Sequence, residues 1–469
     1  MARRTAVLAL LATLGVGVLV GSFVPDGADD TFFAIKKNFT IFGSLYEEVA
    51  TSYVDPVDPQ RLMETGIHAM LRTLDPYTVY IDQEENEDID IMTEGSYGGV
   101  GLSVGVRNDE VTVIEPIEGY SAYKQGIRAG DVITHIDSTS IEDLSMNAIQ
   151  NMLRGEAGTT VHLRIRREGA VEPLRFELTR QRIRLENVSY TGYIDDDVQE
   201  GIGYVRLERF ARQAPEEVRS AIDSLRRSGT LEGLVLDLRN NPGGLLESAV
   251  GVSDLFIPAD RTVVSTRGRN GENRETYRSK SEAFLGPNVP LAILVNGSSA
   301  SASEIVAGAV QDLDRGVIIG ERTFGKGLVQ VIKSLPYNTS LKLTVSKYYT
   351  PSGRSIQAVE YQHDDENGGA VEIADSLREA FETRAGREVR GGGGIEPDIE
   401  IADPEPSDLE EALSRKSAFF LYANHFAARR DSIAPSYTVS DSLLRDFERW
   451  LENQEFSYET RVERAVESL

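Results

Sequence analysis

The stretch Gly233-Leu-Val-Leu-Asp-Leu-Arg-Asn-Asn-Pro-Gly-Gly244 decides the fold. Its first half is a continuous apolar run with no polar alternation, the pattern of a strand covered on both faces in a parallel sheet. Asn240-Asn-Pro-Gly-Gly244 is then a turn, and Leu245 to Phe256 returns to helical spacing. The same alternation extends to both sides. Gly203 to Leu207 is strand-like, and Pro215 opens a helix with Val218, Ile222 and Leu225 on one face, closed by Gly229. Leu291 to Val295, a helix from about Ala302, and Val317 to Ile319 repeat the unit. Strand and helix in alternation imply an α/β core, which we place at residues 181–400.

Other modules flank this core, as 469 residues at about 150 per domain leads one to expect. Residues 31–94 read as a helical domain, with Ile41, Leu45, Val49, Leu62, Ile67, Met70, Leu71 and Leu74 at helical spacing. Leu74-Asp75-Pro76 stops its last helix, and the acidic stretch from Asp82 to Asp90 is expected to be a solvated connection. From 95 to 180 the texture is strand-rich, with clustered glycines, alternating segments such as Val161-His-Leu-Arg-Ile165, and one helix at Leu144 to Leu153 closed by Gly155. Residues 360–394, ending in Gly391 to Gly394, are expected to form a mobile insertion. Residues 401–469 form a helical extension with Leu421, Phe426, Phe447, Trp450 and Leu451 as its apolar candidates. It either covers the core or meets another copy of the chain.

Composition narrows the function. The 49 Lys and Arg against 75 Asp and Glu leave a net charge of −26, which repels nucleic acid rather than attracting it. With zero Cys, disulfides, thiolate nucleophiles and Cys-held metals are excluded. At the N-terminus, Arg3 and Arg4 precede an apolar run from Ala6 to Val20, or to Val24 if the next residues are counted. That length lies between a cleaved signal peptide and a single membrane anchor, so residues 1–24 are expected to be one or the other. Either places the bulk of the chain in the cell envelope, periplasmic or otherwise outside the cytoplasm.

In an α/β sheet, reactive groups collect in loops past the carboxyl ends of strands. Three such loops are rich in candidates: Asn240 to Gly244, Asn296-Gly-Ser-Ser-Ala-Ser-Ala-Ser-Glu304 and Gly320-Glu-Arg-Thr-Phe-Gly-Lys-Gly327. Ser301-Ala-Ser-Glu304 fits a helix capping box, which by itself needs no further role. A serine there also sits beside free amides and the positive end of a helix dipole, where an oxyanion is stabilised. None of His68, His135, His162, His363 and His425 lies in these loops, which disfavours a Ser–His–Asp triad. Lys326 remains as a base. Its pKa must then fall from about 10.4 to about 7–8, a desolvation worth roughly 4 kcal/mol, and Gly325 and Gly327 allow close packing around it. The same loop matches the first seven positions of a phosphate-binding loop. However, Gly327 replaces the hydroxyl that would hold Mg²⁺, and Leu328 to Ile332 reads as a strand where a helix is needed.

Together, Gly233 to Gly244, Ser299-Ala-Ser-Ala-Ser-Glu304 and Thr323-Phe-Gly-Lys-Gly-Leu-Val-Gln330 resemble the carboxyl-terminal processing peptidases, or tail-specific proteases. Leu74-Asp-Pro-Tyr77 and Gly394-Ile-Glu-Pro-Asp398 extend the likeness over residues 35 to 400. The resemblance implies a crotonase- or Clp-protease-like α/β serine-protease core. It implies a Ser–Lys dyad at Ser301 and Lys326, with Gln330 holding the lysine. The oxyanion hole would be built from the amides of Ala302 and Gly243, with Gly244 the close second. Tyr97-Gly-Gly-Val-Gly-Leu102, with Ile127-Arg-Ala-Gly-Asp131, resembles the carboxylate-binding part of a bacterial PDZ domain. Gly98, Gly99, Val100, Gly101 and Leu102 are then expected to take a free C-terminus, the peptide adding as a strand to the sheet edge. The implied function is a serine endopeptidase for the C-terminal tails of exported proteins, needing no metal, nucleotide or other cofactor. Its partners would be protein tails, with an adaptor protein and self-association through the C-terminal helices both compatible. A PDZ scaffold or chaperone that binds tails without cutting them is the rival reading.

Overall fold

The computed structural model describes residues 28–467 except 84–90, 92, 195–200, 272–273, 362–369, 403, 431 and 435–436. The apolar leader before Pro25 and most of the acidic stretch 82–90 lie outside the described residues. Residues up to Tyr80 form one compact unit and the chain from Ile81 another.

In the first unit, helices span Ala28–Ser52 and Pro59–Arg72. The second starts where a cap is available, Asp58 accepting from the amides of Gln60 and Arg61. Of the helical apolar pattern read from sequence, Leu71 is buried, whereas Ile41, Leu45 and Met70 are exposed. The stop at Leu74-Asp-Pro is an Asp turn: Asp75 Oδ1 accepts from the amides of Tyr77 and Thr78, and Oδ2 from the Thr78 hydroxyl.

The second unit is built on a six-stranded sheet. Its order is Val188–Tyr193, Ile202–Leu207, Gly233–Asp237, Leu291–Val295, Val317–Gly320 and Ile399–Glu400. Only the first pair is antiparallel. The run Gly233–Asp237 is the third strand of the six and is buried as its composition requires, Leu234, Leu236 and Asp237 being nearly inaccessible. Helices Ala214–Ser228 and Leu246–Asp254 turn Val218, Ile222, Leu225, Ala249 and Val252 into the core. The helix Ala302–Asp312 is different in kind, since every one of its residues is buried. Small residues (Ala302, Ala307, Gly308, Ala309) allow neighbours on all sides. A second, antiparallel sheet includes Leu328–Leu335, Thr339–Tyr349, Thr262–Gly268 and Glu275–Arg278. Leu328 thus begins a strand, as the sequence predicts, and not a phosphate-cradling helix.

The strand-rich module is a compact sheet of Leu102–Arg107, Glu110–Pro116, Val132–Ile136, Thr160–Arg166 and Leu174–Thr179 with its own core, including Val113, Ile133, Ile149, Val161 and Leu178. Its helix runs Met146–Leu153, capped by Ser145. A two-stranded ribbon, Ser96–Gly99 with Gln181–Arg184, carries the chain in and out. The glycine-rich segment departs from expectation. Of residues 360–394, 362–369 lie outside the described residues, whereas Ala370–Glu372 pairs with Val359–Tyr361, Ala380–Glu382 pairs with Glu388–Arg390, and Gly391 to Gly394 pack inward. Gly392 and Gly394 donate their amides to the carbonyls of Ser355 and Ile356. The described C-terminal helices, including Ala418–Ala428 and Asp441–Asn453, pack through Tyr422, Phe447 and Trp450. The first of these helices lies on the strand-rich module, with Asn424 against Gly130, His425 in contact with Glu168, and Phe420 under the Arg107 guanidinium.

Candidate active site

Three loops converge past the carboxyl ends of the parallel strands. At the end of Gly233–Asp237, the buried Asp237 carboxylate accepts from Arg239 Nε and Nη2, from the Arg239 amide and from the Tyr204 hydroxyl. Burial acts to raise the Asp237 pKa, but these donors outweigh it and hold the carboxyl below its ordinary range. The turn that follows is organised by Asn241, which is fully buried. Its Nδ2 donates to Leu207 O at 2.7 Å, its Oδ1 accepts the Gly243 amide at 2.9 Å, and its carbonyl accepts the Ala300 amide and the Ser303 hydroxyl. Gly243 has φ 103°, and a Cβ there would lie 2.8 Å from Ala300 O and 2.9 Å from Ala302 N. Only glycine lets this turn approach the serine loop so closely.

In the serine loop, Ser301 is the residue just before the buried helix, with φ 55° and ψ −109°, a conformation unfavourable for any side chain. Ser301 is half-buried. Its neighbours are committed elsewhere: the Ser299 hydroxyl donates to Leu238 O and that of Ser303 to Asn241 O. Ala302 contributes the first amide of the helix, one of those with no intrahelical acceptor.

Glu304 ties this loop to the next. Its side chain is inaccessible to solvent. Oε2 accepts from the amides of Ser301 (2.8 Å) and Lys326 (2.9 Å); Oε1 accepts from the Gly325 amide (2.7 Å) and the Thr323 hydroxyl (2.6 Å). Burial raises its pKa, opposed by these four donors. Tyr348, also buried, donates to the carbonyls of Ser301 and Lys326. The lysine loop is further pinned where a Cβ on Gly325 would meet that of Ala358 at 2.4 Å. Gln330 lies on the adjoining strand, and its Nε2 donates to Thr344 Oγ1 at 3.3 Å.

The structure therefore brings Ser301, Ala302, Gly243 and the Lys326 backbone into one cluster, with the Gly243 amide engaged by Asn241. Sequence reading gave Glu304 only a capping role and passed over Asn241 and Tyr348. The S-x-x-E pattern was the visible trace of Glu304, and nothing local revealed that its carboxylate also serves residues about twenty positions on.

A separate groove lies in the strand-rich module. A cavity of about 260 Å³ is lined by Tyr97, Gly99, Val100, Gly101 and Leu102 on one side and by Gln150, Leu153 and Arg154 of the helix end on the other. Gly98 does not line it; its carbonyl accepts the Gly155 amide at 3.1 Å. The Arg154 guanidinium stands 5.7 Å over the Tyr97 ring, bringing positive charge to the glycine-rich loop.

Comparison with known proteins identifies the modules that carry these two clusters. Residues 201–366 match the model of peptidase family S41, 112–167 a PDZ domain, 26–85 the activating protease CtpB N-terminal domain, and 409–469 the C-terminal helical domain of probable PDZ-proteases. A carboxy-terminal-processing protease of Bartonella bacilliformis is 40% identical over 345 residues, 73% of this chain and 77% of that one. The carboxy-terminal processing protease CtpA of Bacillus subtilis is 33% identical over 75% of this chain and 73% of its own length. Among solved structures, a photosystem II D1 C-terminal processing protease is 30% identical, covering 78% of this chain and 88% of that one with a TM-score of 0.41. With two such sites and relatives of this identity and coverage, the chain belongs to peptidase family S41, the carboxy-terminal processing proteases, and is a serine-type peptidase with a PDZ domain.

Proposed function

We propose that this protease hydrolyses the C-terminal tails of exported proteins with Ser301 as nucleophile and Lys326 as general base. The observation that carries the reading is Glu304, whose single carboxylate binds the amides of both Ser301 and Lys326. Two loops separated in sequence are thereby held to one anchor, which is what a two-residue catalytic device requires. The tail enters along the Leu102–Arg107 edge as an added strand, its carboxylate received by the amides of the Tyr97 to Leu102 loop, with Arg154 alongside.

The chemistry follows. The neutral Lys326 amine takes the Ser301 hydroxyl proton as Oγ attacks the scissile carbonyl carbon, and the resulting oxyanion is met by the Ala302 amide. The Gly243 amide joins it by exchanging Asn241 Oδ1 for the substrate oxygen. Collapse breaks the C–N bond, and the Lys326 ammonium returns its proton to the leaving amine. Water, deprotonated by Lys326, then hydrolyses the ester, and Ser301 regains its proton. Gln330 steadies the lysine from the neighbouring strand. No metal or nucleotide enters. Arg3, Arg4 and the apolar run that follows support an activity outside the cytoplasm, with residues 6–24 read as either anchor or signal.

Purified Ser301→Ala and Lys326→Ala chains test the reading on a tail-bearing protein substrate, with tail binding measured in parallel. Cleavage is expected to fall by at least about 10³-fold in each while binding is kept. Undiminished cutting by either variant would refute the dyad.

A further inference from the structure

Tyr348 occupies a position that the dyad reading does not use. It lies near the end of the strand Thr339–Tyr349, is 1% exposed, and donates its own amide to Gly327 O at 3.0 Å. Its ring therefore has little freedom to move. The hydroxyl reaches Ser301 O at 3.1 Å and, more closely, Lys326 O. Ser301 O also accepts the Ile305 amide at 3.0 Å.

The consequence lies in the peptide unit. Ser301 C=O and Ala302 N–H belong to one planar trans group and point in opposite directions. Fixing the carbonyl on the Tyr348 side aims the N–H away from it, and the Gly243 turn is close by, since a Cβ added at Gly243 would lie 2.9 Å from Ala302 N. The same hydroxyl holds the main chain of the lysine. We propose that Tyr348 is a positioning residue for the reaction, its hydroxyl orienting the Ser301–Ala302 peptide so that the Ala302 amide meets the oxyanion, and holding Lys326 to that peptide. This rests on the dyad reading and adds a residue to it. Burial, and then the nearby Glu304 carboxylate, push the phenol well above its ordinary pKa, so it keeps its proton at working pH.

The test uses the full chain carrying Tyr348→Phe and a peptide substrate with a free C-terminus. Loss of the hydrogen bond that orients the oxyanion-binding amide is expected to lower kcat about tenfold. KM and tail affinity are expected to stay within about twofold, because the groove for the tail is elsewhere. A peptide boronate, whose adduct with serine places an oxygen in the oxyanion hole, is expected to lose affinity by the same factor as kcat. A merely structural role would not link those two losses. Tyr349→Phe on the same strand serves as the control with unchanged kcat. If Tyr348→Phe keeps kcat within twofold while Ser301→Ala is inactive, the positioning role is wrong and the dyad stands; an active Ser301→Ala overturns the reading beneath it. Should Tyr348→Phe fail to fold, p-aminophenylalanine at 348 decides. It is a weaker donor of similar volume, expected to lower kcat and boronate affinity together by about threefold, and an unchanged kcat would overturn the role.

Discussion

Asp237 shows how one side chain anchors the turn that packs against Ser301. Its carboxylate takes donors from Arg239, which opens the turn, and from Tyr204 on the neighbouring strand, so the strand end and the turn share an anchor. Because its folded pKa is depressed, its contribution to stability is fully present above the ordinary carboxylate range. That contribution is lost as pH falls through the depressed value. Asp237→Asn is therefore expected to lose about 1–3 kcal/mol at neutral pH. The gap to the parent chain should close on acidification below about pH 4. Urea titrations at several pH values would measure this, and a gap that widens toward acid would contradict the assignment. Glu304 is the complementary case. Its full enclosure raises the carboxyl above the ordinary range, against the pull of four donors from two loops.

At the scale of the element, the turn Asn240 to Gly244 and the start of the helix Ala302–Asp312 fit together only without a side chain at 243. Gly243→Ala combines a positive φ with a Cβ inside 3 Å of two backbone atoms of the serine loop. The expected cost is about 1–3 kcal/mol in stability, with kcat/KM falling on the order of 100-fold through the displaced Ala302 amide. Gly119→Ala separates the two effects. It has φ 83° and nothing within 4 Å of a Cβ, so it is strained alone and should leave peptide hydrolysis unchanged. Melting and peptide assays on the pair would check this, and equal loss of activity in both would refute the packing argument.

Across the second unit, the C-terminal helix Ala418–Ala428 covers part of the PDZ module at Arg107, Gly130 and Glu168. Ending the chain after Ile401 uncovers that surface. Amide exchange at residues 107–110 and 128–131 is then expected to rise about tenfold, the equivalent of roughly 1.4 kcal/mol of local stability. Exchange read by mass spectrometry would show it, and protection equal to that of the full chain would mean the helix gives the module no support.

What the residues determined by themselves was local and periodic. The apolar run Gly233–Leu238, interrupted only by Asp237 and followed by an asparagine-proline-glycine turn, forced a buried parallel strand ending in a loop, because its other side chains have nothing polar to offer water. Motif order then made the family resemblance readable, and the family, the PDZ module and the flanking helices agree with it. Period alone located the helix but not its burial, for Ile41 and Leu45 lie in it and are exposed, and the glycines at 391–394 look like a loose linker although they pack inward. Glycine content reports conformational freedom and close approach equally well. Only the tertiary structure decided which buried polar groups share partners. Asn241, Glu304 and Tyr348 each bond to loops up to about sixty residues away, and burial leaves such groups no water to fall back on, so their partners must come from the fold itself.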